Sequence, residues 1–141
     1  MVSGFWKELT LARTAGRIRG GMRPTAAIKE HVDAWNRYHS RNLFLDEPEL
    51  LEDAHLNAWL AGCAEYEAFL IGLPAPRWTE CPQRFLDRPF VPGGPNTRRY
   101  ALIETPFAWR RRLVFGGRTG LTGPAQSAAD HPDPSGPGPG C

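Results

Sequence analysis

Long apolar runs are missing from this chain. Nowhere do its 141 residues reach the roughly 20 consecutive apolar positions that cross a bilayer, and the arginine-bearing N-terminus has no signal-like apolar core. A cytoplasmic, soluble protein is expected. Cysteine is scarce: Cys63, Cys81 and Cys141 show no C-x-x-C spacing, so neither a disulfide framework nor a zinc ribbon organises the chain. Reduced thiols are expected, with Cys63 a small core residue inside an apolar helical stretch. Also missing are the G-x-S-x-G, H-E-x-x-H, Walker, EF-hand and kinase patterns. The four serines lie near the N-terminus, at a helix end or in the C-terminal tail. No catalytic residue, no cofactor and no metal ligand is therefore assigned, and the chain is expected not to be an enzyme. His31 and His39 share a predicted helix, but eight residues put them about 12 Å apart, too far to hold one ion. Both are expected on its surface or rim.

Glycine and proline, by contrast, are plentiful at 15 and 14. Residues 116–141 hold seven of the glycines and five of the prolines, with Leu121 the only large aliphatic. Such a segment cannot offset the entropy of ordering it, so a disordered Pro/Gly-rich tail is expected. Residues 1–24 read as a basic flexible arm, with a short helix at Phe5 to Arg13 followed by the glycines of 16–21. Residues 25–115 form the expected domain, mainly α, a small helical unit with a short C-terminal β-hairpin.

Within that domain, Pro24 and Thr25 start a helix running to about Ser40, with Ile28, Val32, Trp35 and His39 along one side. Asp46-Glu47-Pro48-Glu49 has the pattern of a capped helix start. From there a central core helix is predicted, with Leu56, Trp59, Leu60, Cys63, Tyr66 and Leu70 on one stripe and Ala54, Ala58, Ala61, Ala64 and Ala68 on another. It ends by Gly72, before Pro74. Six prolines between 74 and 95 then exclude long regular elements. The hairpin is expected from Arg99 to Glu104 and Arg112 to Phe115, joined by a turn at Pro106.

Charge is laid out in blocks. Residues 1–45 carry eight bases and three acids, residues 46–76 no base and seven acids, and residues 77–118 nine bases and three acids. The acids of the middle block suit a helix N-terminus and solvated helix faces, with Glu65 and Glu67 on different sides. Arg98, Arg99, Arg110, Arg111 and Arg112 flank the hairpin with Tyr100, Phe107 and Trp109 interleaved, a combination suited to phosphates and bases. The competing account pairs these arginines with the acidic block and buries the aromatics, and it carries more weight because such charges balance internally. One observation separates the two: whether the arginines share an open face or lie against the acidic helix.

The runs Leu51 to Glu65, Leu73 to Trp78, Arg84 to Phe90 and Glu104 to Arg112 follow a recognisable order. They contain Pro76-x-Trp78, Leu86-x-x-Pro89-Phe90 and Pro106-x-x-Trp109-Arg110-x-Arg112 with an apolar end at Phe115. In this order, over about residues 43–115, the chain resembles a family of uncharacterised bacterial proteins, antitoxin-like or regulatory partners encoded beside predicted nucleotidyltransferases. The family pattern usually continues past the last strand, whereas here Gly116 opens into the tail. The resemblance implies a non-enzymatic, protein-binding or regulatory role with a toxin-like enzyme as partner. The alternative is a nucleic-acid-binding protein that uses the Arg-rich hairpin.

Overall fold

Thr10 sets the start of the first helix. Its Oγ1 accepts from the Arg13 N–H at 3.1 Å, and the Thr14 hydroxyl donates to the Thr10 carbonyl at 2.8 Å. In the computed structural model, which describes residues 9–91 and 105–115, this helix is α1, Leu11–Arg19. Leu11, Thr14 and Ala15 are buried at i, i+3 and i+4, the stripe that seats a helix on a core. The expected arm is thereby corrected for residues 9–24: the helix begins at Leu11, accommodates Gly16 and belongs to the packed body. It stops at Gly20 and Gly21, the latter at φ +111°, a conformation glycine adopts at little cost. Residues 1–8 lie outside the described residues, as does the expected tail.

Helix α2, Pro24–Tyr38, has proline in its first turn and ends at His39 in the left-handed region, φ 50°. Its buried stripe is Ala27, Ile28, His31, Ala34 and Trp35. His39 is exposed as expected, but His31 is fully buried, a correction to its placement on the rim. After a 3-10 turn at Arg41–Leu43, the chain runs without helix from 45 to 53.

The central helix, α3, spans Ala54–Leu70 and begins eight residues later than Asp46. Its cap is Asp53, whose Oδ1 accepts from the His55 N–H at 2.9 Å. The Asp46–Glu49 segment is instead held by tertiary bonds. Asn57 clasps Leu51 through both of its amide atoms, at 2.7 and 2.8 Å, and Arg84 donates to the Pro48 carbonyl at 2.5 Å. Twelve residues of α3 are buried, on all sides of the helix, so it is the central core element, as its two stripes predict. It ends in a Schellman-type turn, Gly72 at φ +73° with the Leu73 N–H donating to Ala68 at 2.9 Å.

The proline-rich segment wraps α3 through 3-10 turns at Arg77–Glu80 and Pro82–Arg84. Helix α4, Phe107–Arg110, packs on α3 through Ala108 and Trp109, both fully buried. The expected strand at 112–115 forms only a single parallel bridge, Phe90 with Val114. The other strand, 99–104, lies outside the described residues. Among the described residues the fold is thus mainly helical, and no helix is long and apolar enough to cross a membrane.

The Asp53 cap carries a pH-dependent prediction. Burial works against its charge, yet the hydrogen bonds and charge of His55 hold its carboxyl below the ordinary aspartate value. A carboxylate whose folded pKa is depressed adds stability above its unfolded pKa, and that stability is lost as pH falls through the folded one. Asp53→Ala is expected to lower stability by about 1 kcal/mol at neutral pH, with the gap to the parent narrowing as pH falls through the aspartate range. Urea unfolding at neutral and acid pH checks this, and an unchanged gap would remove the charge from the account.

Candidate functional site

Arg111 and Arg112 leave the end of α4 beside two carboxylates. Arg111 donates to Glu65 at 2.8 Å and to both oxygens of Glu80 at 2.9 and 3.0 Å. Arg112 is fully buried, donates to the carbonyls of Ala108 and Thr79 at 2.7 and 2.8 Å, and is paired with Glu65. Both guanidinium groups lie over the Phe85 ring, at 5.1 and 4.7 Å. Glu80 and Glu65 hold Arg111 above the ordinary arginine value, whereas burial, partly offset by Glu65, pulls Arg112 below it. These two arginines therefore lie against acids, and one of the acids, Glu65, is on the central helix. Arg110 is exposed and donates to the Thr105 carbonyl at 3.3 Å. Arg98 and Arg99 lie outside the described residues. Of the predicted contact arginines that are described, Arg110 and Arg111 are exposed and Arg112 is buried, so these three do not share one open face.

Arg84 is a second buried guanidinium. It stacks 5.0 Å over Trp78 and stands 3.7 Å from Glu47. Burial brings its pKa down to about 10 against the opposing pull of Glu47. It ties the 46–53 segment to the proline-rich wrap, which is a structural task.

Several large apolar side chains also face outward. Phe69 and Leu70 end α3 at 62% and 47% exposure, Leu73 follows at 37%, and Phe107 opens α4 at 45%. The rings of Phe69 and Phe107 meet edge to face at 5.4 Å, the favoured geometry for aromatic pairs. The two rings thus rest on each other while each remains exposed at least in part. The periodicity of α3 puts Leu70 on its core stripe, and the structure instead places it at the exposed C-terminal end.

A buried polar cluster joins α2, α3 and the start of α1. His31 Nε2 lies 2.8 Å from Glu67 Oε2, and Nδ1 lies 2.7 Å from the Leu9 carbonyl. Cys63 Sγ donates to the same Glu67 oxygen at 2.9 Å. All three side chains are fully buried, which corrects the solvated placement of Glu67. Their ligand atoms lie within 4.8 Å of one another, so here a set that could hold a metal exists where none was assigned. One signal was available: His31 falls three residues after Ile28 and four before Trp35, on the stripe that α2 buries. Cys63 is in no disulfide among the described residues, in line with the reduced-thiol expectation for it, and Cys81 is buried. No protein-family model matches the chain, and no curated protein or solved structure matches it significantly.

Proposed function

We propose that this chain is a non-enzymatic, protein-binding regulator, that its contact surface is the Phe69–Phe107 face, and that its partner is a toxin-like enzyme. The observation that carries this reading is the exposed aromatic pair at the joint of α3 and α4. Burying such a pair on a partner removes a large apolar area from water at little entropic cost, since the two rings already restrain each other. The partner class follows from the resemblance over residues 43–115, which implies a bacterial protein encoded beside a predicted nucleotidyltransferase. The nucleic-acid alternative is weakened because Arg111 and Arg112 are engaged by Glu65 and Glu80.

The test is growth rescue. Where a nucleotidyltransferase-like enzyme is encoded beside this chain, its expression is expected to arrest growth, and co-expression of this chain to restore it. Phe69→Glu and Phe107→Glu should each weaken binding by about 30-fold or more, as loss of a central anchor of about 2 kcal/mol does. Stability should change by only about 0.5 kcal/mol, the range for surface positions. Full rescue by both variants would overturn the proposed surface. Salt-sensitive duplex binding lost on Arg110→Ala would favour the alternative.

A further inference from the structure

We infer that His31, Cys63 and Glu67 form a closed site for one divalent ion of zinc type, which clips α2 to α3 in the core. The argument starts from the hydrogen bonds. The Leu9 carbonyl can only accept, so the proton between it and His31 sits on Nδ1. Nε2 then faces Glu67 Oε2, 2.8 Å away. An Nδ1–H held by a backbone carbonyl, with Nε2 pointing at the other ligands, is the outer-shell arrangement that orients metal-binding histidines.

The donor set suits zinc. An imidazole nitrogen, a thiolate sulfur and a carboxylate are its usual protein ligands. Cys63 and Glu67 lie four residues apart and project from one face of α3. A further, independent observation points into the site. Glu67 Oε1 is buried and has no hydrogen-bond partner among the described residues, although an unpaired carboxylate oxygen in a core is costly. With Glu67 binding through both oxygens, Nε2, Sγ, Oε1 and Oε2 supply four donor atoms with no need for water, and the unpaired oxygen is used. That describes a structural site, closed to substrate, in keeping with the complete burial of all three residues.

The charges balance as well. Without metal the neutral cluster holds two protons beyond the one on Nδ1: that of the Cys63 thiol and the one shared by Nε2 and Glu67. A divalent ion with neutral imidazole, thiolate and carboxylate is again neutral. Binding therefore exchanges one M2+ for two protons, which leave to solvent, and no net charge is added to the core.

The inference is independent of the partner-binding reading, and its test uses the full chain produced in medium supplemented with zinc or cobalt chloride, then dialysed. The parent should retain one ion per chain, and the cobalt form should show a thiolate-to-metal charge-transfer band. Cys63→Ala, which removes the thiol from a small core position, should lose the band and bind zinc at least about a hundredfold more weakly, a loss that outer-shell partners alone can reach. Glu67→Gln keeps the side-chain shape and should also lose the metal, with helical content unchanged by circular dichroism. Two protons should be released per zinc bound in weakly buffered solution. A folded parent without metal, or a Cys63→Ala chain that binds as tightly as the parent, would overturn the inference.

Discussion

Replacing Glu65 with alanine is expected to lower the stability of the fold by about 3–5 kcal/mol, the range for removing one partner of a buried ion pair. Glu65 is 14% exposed at its side chain and Arg112 not at all. Without the carboxylate, Arg112 keeps, among the described residues, the two neutral carbonyls of Ala108 and Thr79 and a distant Glu80 oxygen at 3.8 Å. Arg111 loses one of its two acids at the same time, while both guanidinium groups stay stacked on Phe85. The variant thus leaves a positive charge in the core beside a second one. Against a typical total of about 5–15 kcal/mol for a domain, such a loss removes a large part of the stability. Arg111→Ala should cost far less, about 1 kcal/mol or under, because Arg111 is 39% exposed and Glu80 55%. Glu65→Leu combined with Arg112→Met should recover part of the loss, since an apolar pair carries no desolvation penalty, although two carbonyls are left unpaired. Urea unfolding of the four chains decides it. A Glu65→Ala midpoint close to the parent's would mean that the buried arginine is not held by this pair.

The same network shows how far residue order reveals the structure. Acidic and basic blocks adjacent in the chain do meet in space at Glu65 with Arg111 and Arg112, so that part of the favoured account could be read from the order of charges, whereas Phe107, which the same account buries, is exposed. The central helix was legible too, because large apolar residues and alanines interleave from Ala54 to Ala68, and Gly72 before Pro74 marks its end. Its start was not. Asp46-Glu47-Pro48-Glu49 fits a helix cap as well as Asp53 does, and the choice rests on Asn57 clasping Leu51 and on Arg84 reaching Pro48, contacts that no local window contains. The first helix was displaced for a similar reason: a run of glycines suggested a breaker, but Gly16 sits in a helix whose Leu11 and Ala15 are buried on the core. His31 lies on the stripe that α2 buries, but Glu67 is 36 residues away and alone resembles an ordinary surface residue. Only the packing of α2 on α3 makes them a pair. The exposed Phe69–Phe107 contact is likewise long-range, made when α4 folds back onto the end of α3.

That fold-back depends on one position without a side chain, and Gly62→Ala is expected to destabilise the protein by about 2 kcal/mol or more through overpacking. A Cβ at Gly62 would stand 2.5, 2.7 and 2.9 Å from Cδ1, Nε1 and Cγ of Trp109, inside the closest approach of real atoms. The ring cannot easily yield. Trp109 is fully buried, its Nε1 donates to the Trp59 carbonyl at 3.2 Å, and Tyr66 and Trp59 flank it at 5.1 and 6.4 Å. Displacing it breaks that hydrogen bond and leaves a buried donor unpaired, at about 1–3 kcal/mol. Helix propensity works the other way, since alanine is favoured over glycine inside a helix by about 1 kcal/mol. The two effects separate in a cycle with Trp109→Ala, itself expected to cost about 3–5 kcal/mol. With the indole gone, the added methyl meets a cavity, and Gly62→Ala should become neutral or stabilising. That reversal of sign is the measurement to make, by urea unfolding of all four chains. A stabilising Gly62→Ala in the parent would mean that α4 does not sit this close to α3. Because Phe107 lies two residues from Trp109 on the same short helix, the Gly62→Ala chain should also separate Phe107 from Phe69 and lose partner binding while it remains folded. A loss of binding with both rings untouched would tie the contact surface to the packing beneath it.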